Sequence, residues 1–360
     1  VPEQTARASA SAWFAGVEAT DLIEVVDVRA EPHRMTEPGW WAVVGDFEGR
    51  VRAWRFATVT PAKVGGARSW KGPDVGAWTS SLDRDEYANA VEVVRGRIQE
   101  GDVYQANICR VLSARLPDEP DARALAAVLD AGNPAPFAGG VHVPTGGAHD
   151  AVWVVTASPE LFLRVADGVV TSGPIKGTAA TADALTAKDR AENVMITDLV
   201  RNDLQRVCAP GTVEVTSLLG EEHHPGLVHL VSTVQGVLDR SVVDAPDLWA
   251  RLLEATYPPG SVSGAPKASA LRIIESLERE ARGPYCGAVG WIEVGDDGSV
   301  RAELAVGIRT FWWSDGFLRF GTGAGITWGS DREAEWTETE LKAARLVGLA
   351  SDVDVGPVPE

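Results

Sequence analysis

Two stretches of this 360-residue sequence each carry a pair of carboxyl groups three residues apart, Asp189 with Glu192 and Glu335 with Glu338. On a helix that spacing puts both groups on one side. Two such pairs facing one another would supply the hard oxygen ligands, with room for water, that Mg²⁺ prefers. Either pair taken alone also reads as a solvated helix surface. Lys176 stands in Ser172-Gly173-Pro174-Ile175-Lys176-Gly177-Thr178, just after a predicted strand, where Pro174 and the two glycines form a stiff loop. A nucleophilic lysine must be neutral, yet its ordinary pKa is about 10.4. Burial beside other cations, a metal included, favours the neutral amine; a loop lysine without such surroundings is simply solvated. Glu160, in Ala157-Ser158-Pro159-Glu160-Leu161-Phe162, opens the preceding hairpin. It is placed either to act as a general acid in the same space or to lie at the surface beside a turn.

Gly321-Thr322-Gly323-Ala324-Gly325 has the glycine content of a dinucleotide loop but not its context, since no helix opens directly after it. It fits close approach of backbone N–H groups to a carboxylate, or a tight bend. His223-His224 lacks metalloprotease spacing and is assigned no role.

These groups must be held by surrounding elements. Residues 40–60 read as strands, and 61–76 as a Gly- and Pro-rich boundary or long loop. Asp83 and Glu86 form a capping-box pair ahead of a helix that Gly101 ends. Residues 152–171 read as strands with a hairpin turn at Asp167-Gly168. Helices are predicted over 187–206, over 266–282 with Pro266 in the first turn, and from a Ser330/Glu333 cap to about 348. Strands over 285–294, 300–313 and 317–322 are joined at Asp297-Gly298 and Asp315-Gly316, turns that connect only antiparallel neighbours. The fold class is α+β, an antiparallel sheet with helices packed outside it.

Hydrophobic residues at 45% and charged residues at 23% describe an ordinary globular chain with an adequate core. A net charge of −18 argues against nucleic acid or an anionic membrane as partner. With so acidic a chain, cations must be concentrated wherever an anion binds. Cys109, Cys208 and Cys286 show no CxxC spacing, which excludes a disulfide framework and a standard zinc cluster. No apolar run approaches a membrane span, and the start lacks a secretory pattern, so a cytoplasmic location is expected.

Taken in order, a series of motifs carries the reading further. They are Gly101-Asp102-Val103-Tyr104-Gln105-Ala106-Asn107, Ser158-Pro159-Glu160, Pro174-Ile175-Lys176-Gly177-Thr178 and Asp198-Leu199-Val200-Arg201-Asn202-Asp203. His229-Leu230-Val231-Ser232, Ser263-Gly264-Ala265-Pro266-Lys267, Ile308-Arg309-Thr310, Gly323-Ala324-Gly325-Ile326 and Glu335-Trp336-Thr337-Glu338-Thr339 through Lys342 follow. From about residue 86 to 349 the chain resembles the chorismate-utilising enzymes, which include the large subunits of anthranilate synthase and aminodeoxychorismate synthase. The resemblance implies a large antiparallel β-sandwich core clothed in helices, holding chorismate and Mg²⁺. It implies a short N-terminal subdomain over 1–78, a chorismate-binding catalytic domain over 79–351 and a tail over 352–360. By match to motif, Glu192, Glu335 and Glu338 look like the metal site, with Asp189 supporting through water. Arg309, Lys342, Tyr285 and the backbone of Gly323, Ala324 and Gly325 look like the grip on substrate carboxylates, with Thr178 and Gln105 among the substrate contacts. His229 looks like a pocket residue near the ring hydroxyl.

Within the family, isochorismate and salicylate synthases carry a water-activating lysine where this chain has Gln105, so water addition is disfavoured. Anthranilate synthases usually show alanine at Lys176 and histidine at Asn193, which puts this chain nearer the aminodeoxychorismate synthases. The resemblance then implies attack of Lys176 at C2, protonation of the departing C4 hydroxyl by Glu160 with help from His229, and ammonia attack at C4. Ammonia would come from a separate glutamine amidotransferase, because the chain has no Cys/His glutaminase segment. Anthranilate synthesis and chorismate binding without turnover are the alternatives. Pro259 and Gln205 depart from the family pattern, where a small residue and a glycine are usual. The region ahead of the match is short beside typical large subunits, which leaves a tryptophan pocket and the usual amidotransferase docking surface open.

Overall fold

The computed structural model describes residues 9–62, 69–179, 181–224 and 227–352. The tail expected over 352–360 falls, beyond Asp352, outside the described residues. The chain opens with strands β1 (Ser11–Phe14), β2 (Val17–Asp27), β3 (Gly39–Gly45), β4 (Val51–Pro61) and the short β5 (Thr79–Ser80). Helix α1 (Arg84–Gln99) follows, started by the Asp83/Glu86 capping box, then β6 (Gln105–Arg115), α2 (Ala122–Gly132), β7 (Phe137–Val143) and β8 (Val152–Ser158). Next come β9 (Leu161–Ala166), β10 (Val169–Gly173), β11 (Ile175–Ala179), α3 (Ala187–Gln205), β12 (Glu214–His224) and β13 (Leu227–Val237). The C-terminal third holds α4 (Arg240–Val243), α5 (Leu248–Thr256), β14 (Gly264–Ala265), α6 (Lys267–Leu277), β15 (Ala288–Val294), β16 (Val300–Val306), β17 (Thr310–Ser314), β18 (Phe317–Ile326) and α7 (Arg332–Ala350).

The antiparallel ladders join these strands into one ribbon. It runs from β12 and β11 through β13, β10, β9, β16, β15, β3, β4, β2, β1, β7, β8, β17 and β18 to β6, which also pairs β5 and β14. β8 is buried along its whole length and β6 along most of it, as strands covered on both faces must be. The larger apolar core includes Trp41, Trp54, Tyr87 and Ile108, and a second cluster of Leu125, Phe311, Phe320 and Leu346 lies beneath α2 and α7. Helices pack outside: α3 on β11, β12 and β13, α7 on β18, α6 on β6. The α+β class and the predicted hairpin turns agree with this. Asp167-Gly168 and Asp315-Gly316 have positive φ at both residues, the requirement of a tight two-residue hairpin.

Three expectations need correction. The predicted strand over 300–313 is broken at residues 307–309, where the chain leaves β16 and joins β8 and β18 as β17. Arg309 sits in the break with φ +51°. The predicted helix over 266–282 stops at Leu277, and Pro266 is its cap rather than its first turn. The carboxylate of Glu278 is taken by Arg282 and by the Cys109 amide, so the chain turns there instead of continuing. The last helix is capped by Asp331, which accepts from the amides of Glu333 and Ala334, while Ser330 Oγ accepts from Thr327.

Arg282 is 1% exposed and holds four places together: Glu278 at 2.6 Å, the carbonyls of Val262 at 3.0 Å and Asn107 at 2.8 Å, and the Phe47 ring at 4.0 Å. Arg282→Ala leaves the Glu278 charge buried and unpaired, so unfolding free energy should fall by about 3–5 kcal/mol. Denaturant melts check this, and a loss under about 1 kcal/mol would remove Arg282 from that role.

Candidate active site

The two ends of the strand ribbon meet at a cavity of about 580 Å³, within the size range of small-molecule sites. From one end, β11 brings Lys176. Ile175 pairs with Val231 and Thr178 with His229, so three steps on one strand match two on the other, a bulge at Lys176 and Gly177. Lys176 therefore stands on a bulged strand rather than a loop, and the bulge re-aims its side chain. Gly177 has φ +96°, and a Cβ there would come within 2.9 Å of Asp189, so glycine is needed for α3 to pack on the bulge. Asn193, 1% exposed, ties the same turn of α3 to the carbonyls of Lys176 at 3.3 Å and Leu230 at 2.8 Å. His229, 3% exposed, lines the cavity from β13. The side chain of Thr178 lies outside the described residues.

From the other end, β18 and β6 bring Gly323, Ala324, Gly325 and Gln105. The Lys176 amine ends 3.1 Å from the point that a Cβ on residue 325 would occupy, and the Gln105 and Asn107 amides lie closer still. Beyond Phe320 only β6 pairs with β18, so its other edge carries no strand where Gly321–Gly325 line the cavity. Alternate backbone groups along that edge have no ladder partner. Lys342 Nζ donates to the Gly323 carbonyl at 3.1 Å and pairs with Glu338 at 2.6 Å. Tyr285, 6% exposed, lines the floor against Gly321, its hydroxyl 4.0 Å from Cys109 Sγ.

Burial sets the proton affinities. It lowers the Lys176 pKa from the usual lysine value; Glu192 opposes this, and the like charge of Lys342 adds to it. Burial pushes Glu160 up to about 7, against a hydrogen bond from Ser261 and the charge of Lys176. Glu192 is raised by burial in spite of Lys176 and Lys188. Burial would raise Glu338 too, but Lys342 outweighs it and holds this carboxyl below its ordinary value. Arg309, at the cavity wall, is lowered by burial, and no carboxylate among the described residues offsets this. Gln105, Glu160 and Glu192 each keep one buried oxygen without a hydrogen-bond partner. Unsatisfied buried oxygens are uncommon, and two of these, on Glu160 and Glu192, belong to residues that line the cavity, which favours a ligand there.

The concentration of cations expected for an acidic chain is present. Lys176, Lys188, Arg309, Lys342 and Arg345 line the cavity against Glu160, Asp189, Glu192 and Glu338, a near balance in a chain with 33 basic and 51 acidic residues. Lys188 and Arg345 line the cavity without a sequence motif that marks them as site residues. Lys188 left one signal, a lysine in the second position of a helix, where the macrodipole favours acids. Asp189 also serves the helix itself, since its carboxylate accepts from Thr186 N at 2.8 Å and Thr186 Oγ at 2.6 Å and so closes the capping box of α3.

The carboxylates suit Mg²⁺ in chemistry. Their oxygens are the hard donors it takes, and Glu192 Oε1 has no hydrogen-bond partner. They do not form a closed cage, for among the described residues no three His, Cys, Asp or Glu side chains gather closely enough to hold a metal ion. Lys188 stands among them, 3.5 Å from Glu335 and 3.7 Å from Glu192.

Residues 60–348 match the family described as chorismate binding enzyme. The chain is 35% identical to anthranilate synthase component 1 of Saccharolobus solfataricus over 83% of its own length and 69% of that protein's. It is also 35% identical to aminodeoxychorismate synthase component 1 of Salmonella typhimurium, over 75% of its length and 59% of that protein's. In fold it is similar to anthranilate synthase component I of Streptococcus pneumoniae, with a TM-score of 0.72 at 22% identity over 96% of this chain and 94% of that one. The family match, these relatives and the cavity at the ribbon's meeting ends agree: the chain belongs to the chorismate binding enzymes.

Proposed function

We propose that the protein aminates chorismate at C4 with ammonia, giving 4-amino-4-deoxychorismate, and that Lys176 is the covalent nucleophile. The observation that carries this reading is a lysine of lowered pKa at the same cavity as a carboxyl poised near neutrality. Neutral Lys176 bonds to C2 as the ring double bond shifts, and the C4 hydroxyl leaves as water with a proton from Glu160, His229 assisting. Ammonia then bonds to C4, the double bond shifts back, and the C2–N bond breaks to release Lys176 as the neutral amine. The new C4 ammonium returns one proton to Glu160, so the net exchange is hydroxyl for amine with loss of water. Arg309, Lys342 and the open edge of β18 would hold the two substrate carboxylates, and Tyr285 and Gln105 would border the ring. Mg²⁺ bound by Glu192, Glu335 and Glu338, with Asp189 behind, would supply electrostatic stabilisation at the ring carboxylate. A separate glutamine amidotransferase would supply the ammonia. Placement in para-aminobenzoate and folate synthesis, in the cytoplasm, belongs to the same proposal.

Anthranilate synthesis is the second reading, favoured by equal identity to an anthranilate synthase component. Incubation with chorismate, ammonium and MgCl₂, followed by mass spectrometry, should yield 4-amino-4-deoxychorismate; anthranilate plus pyruvate as main products would overturn the proposal, and unchanged chorismate would favour binding without turnover. Lys176→Ala should lower C4 amination by roughly 100-fold or more. Parent-like turnover in that variant would refute the covalent step.

The sign for Glu160 follows from its raised pKa. The folded state keeps a proton that the unfolded chain gives up near 4.3, so this contribution to stability is present at low pH and is lost as pH rises toward about 7. Glu160→Gln should flatten that part of the melting temperature against pH. At constant free ammonia, parent activity should decline above about pH 7, whereas the residual activity of Glu160→Gln should not. The same decline in the variant would assign it elsewhere.

A further inference from the structure

Lys188 lies outside the chemistry proposed above, yet its surroundings are unusual. It sits in the first turn of α3, where the helix dipole disfavours a cation. Its ammonium bridges two helices, 3.7 Å from Glu192 Oε1 on its own helix and 3.5 Å from Glu335 Oε1 on α7. Glu335 is only 3% exposed and the Glu192 side chain 16%, so both carboxylates sit in a medium that penalises unscreened negative charge. A third, Glu338, is matched separately by Lys342 at 2.6 Å. The carboxylates are thus arranged about two lysines, and Lys188 occupies the gap between the helices.

We propose that Lys188 is an internal counter-ion that competes with the divalent cation for Glu192 and Glu335, so that metal entry requires its side chain to swing aside. This rests on the Mg²⁺ reading of the site given above. About half of the Lys188 side chain is exposed, which gives it solvent to move into, whereas Glu335 is fixed beneath it. The arrangement makes metal occupancy depend on a displaceable charge of the protein itself. It lowers affinity for free Mg²⁺ and lessens repulsion between α3 and α7 when no ion is bound.

The test uses the whole chain without chorismate. Calorimetric titration with MgCl₂ at constant ionic strength is run on the parent, Lys188→Met and Lys188→Arg, with thermal melts before and after MgCl₂. Lys188→Met should bind Mg²⁺ about fivefold or more tightly. It should also melt lower than the parent without metal, and gain more from MgCl₂. Lys188→Arg, which keeps the charge, should stay near the parent. Unchanged or weaker Mg²⁺ binding by Lys188→Met, with the parent binding normally, overturns the role of Lys188 alone. No binding by either protein overturns the metal reading and the competitor with it.

Discussion

The site depends on a close approach that only a missing side chain permits. Lys176 and the amides of Gln105 and Asn107 converge on the space beside Gly325, and they arrive from opposite ends of the strand ribbon. A methyl group at residue 325 would press on all three. The bulge at Lys176, the positive φ of Gly177 and the packing of α3 over it bring one end to this point, and the long β6–β18 ladder brings the other. Because these supports are ladders and buried helix contacts, the site is built on rigid elements rather than on loops.

Charge follows from that geometry. The meeting of the ends removes water from around Lys176, Glu160 and Glu192, and burial moves each toward its neutral form. Lys342 pairs directly with Glu338 and holds that carboxyl below its ordinary value, so one cavity holds groups able to exchange protons beside a carboxylate kept charged. Arg309 adds a cation, with no ion pair among the described residues, because the break at residues 307–309 directs the chain into the cavity wall. A chain of net charge −18 can thereby receive an anion without a basic surface.

Much of this was legible in the sequence, and the rest was hidden for physical reasons. The Asp83/Glu86 cap, the Asp167-Gly168 and Asp315-Gly316 turns and the i, i+3 carboxylates depend on residues within one turn of each other, and they read correctly as local structure. The break at 307–309 did not, because both flanking segments have strand composition and only their distant partners, β9 and β15 against β8 and β18, separate them. The bulge at Lys176 is likewise set by its register with β13, some 50 residues on. Lys188 is not legible in the sequence because its two partners lie on different helices, and only one of them is near it in sequence.

The ribbon also bears on how the chain can be divided. Strands β1 to β4 form its middle: β1 pairs with β7 and β3 with β15. A chain starting at residue 79 would keep the whole chemical apparatus yet open two sheet edges, on β7 and on β15, in the interior of the fold. Unpaired apolar edges recruit other strands, and Val141, Val143, Val289 and Ile292 on these two are buried. Strands β1 to β4 thus cover edges of β7 and β15 that a cut at residue 79, where the sequence changes character, would leave open.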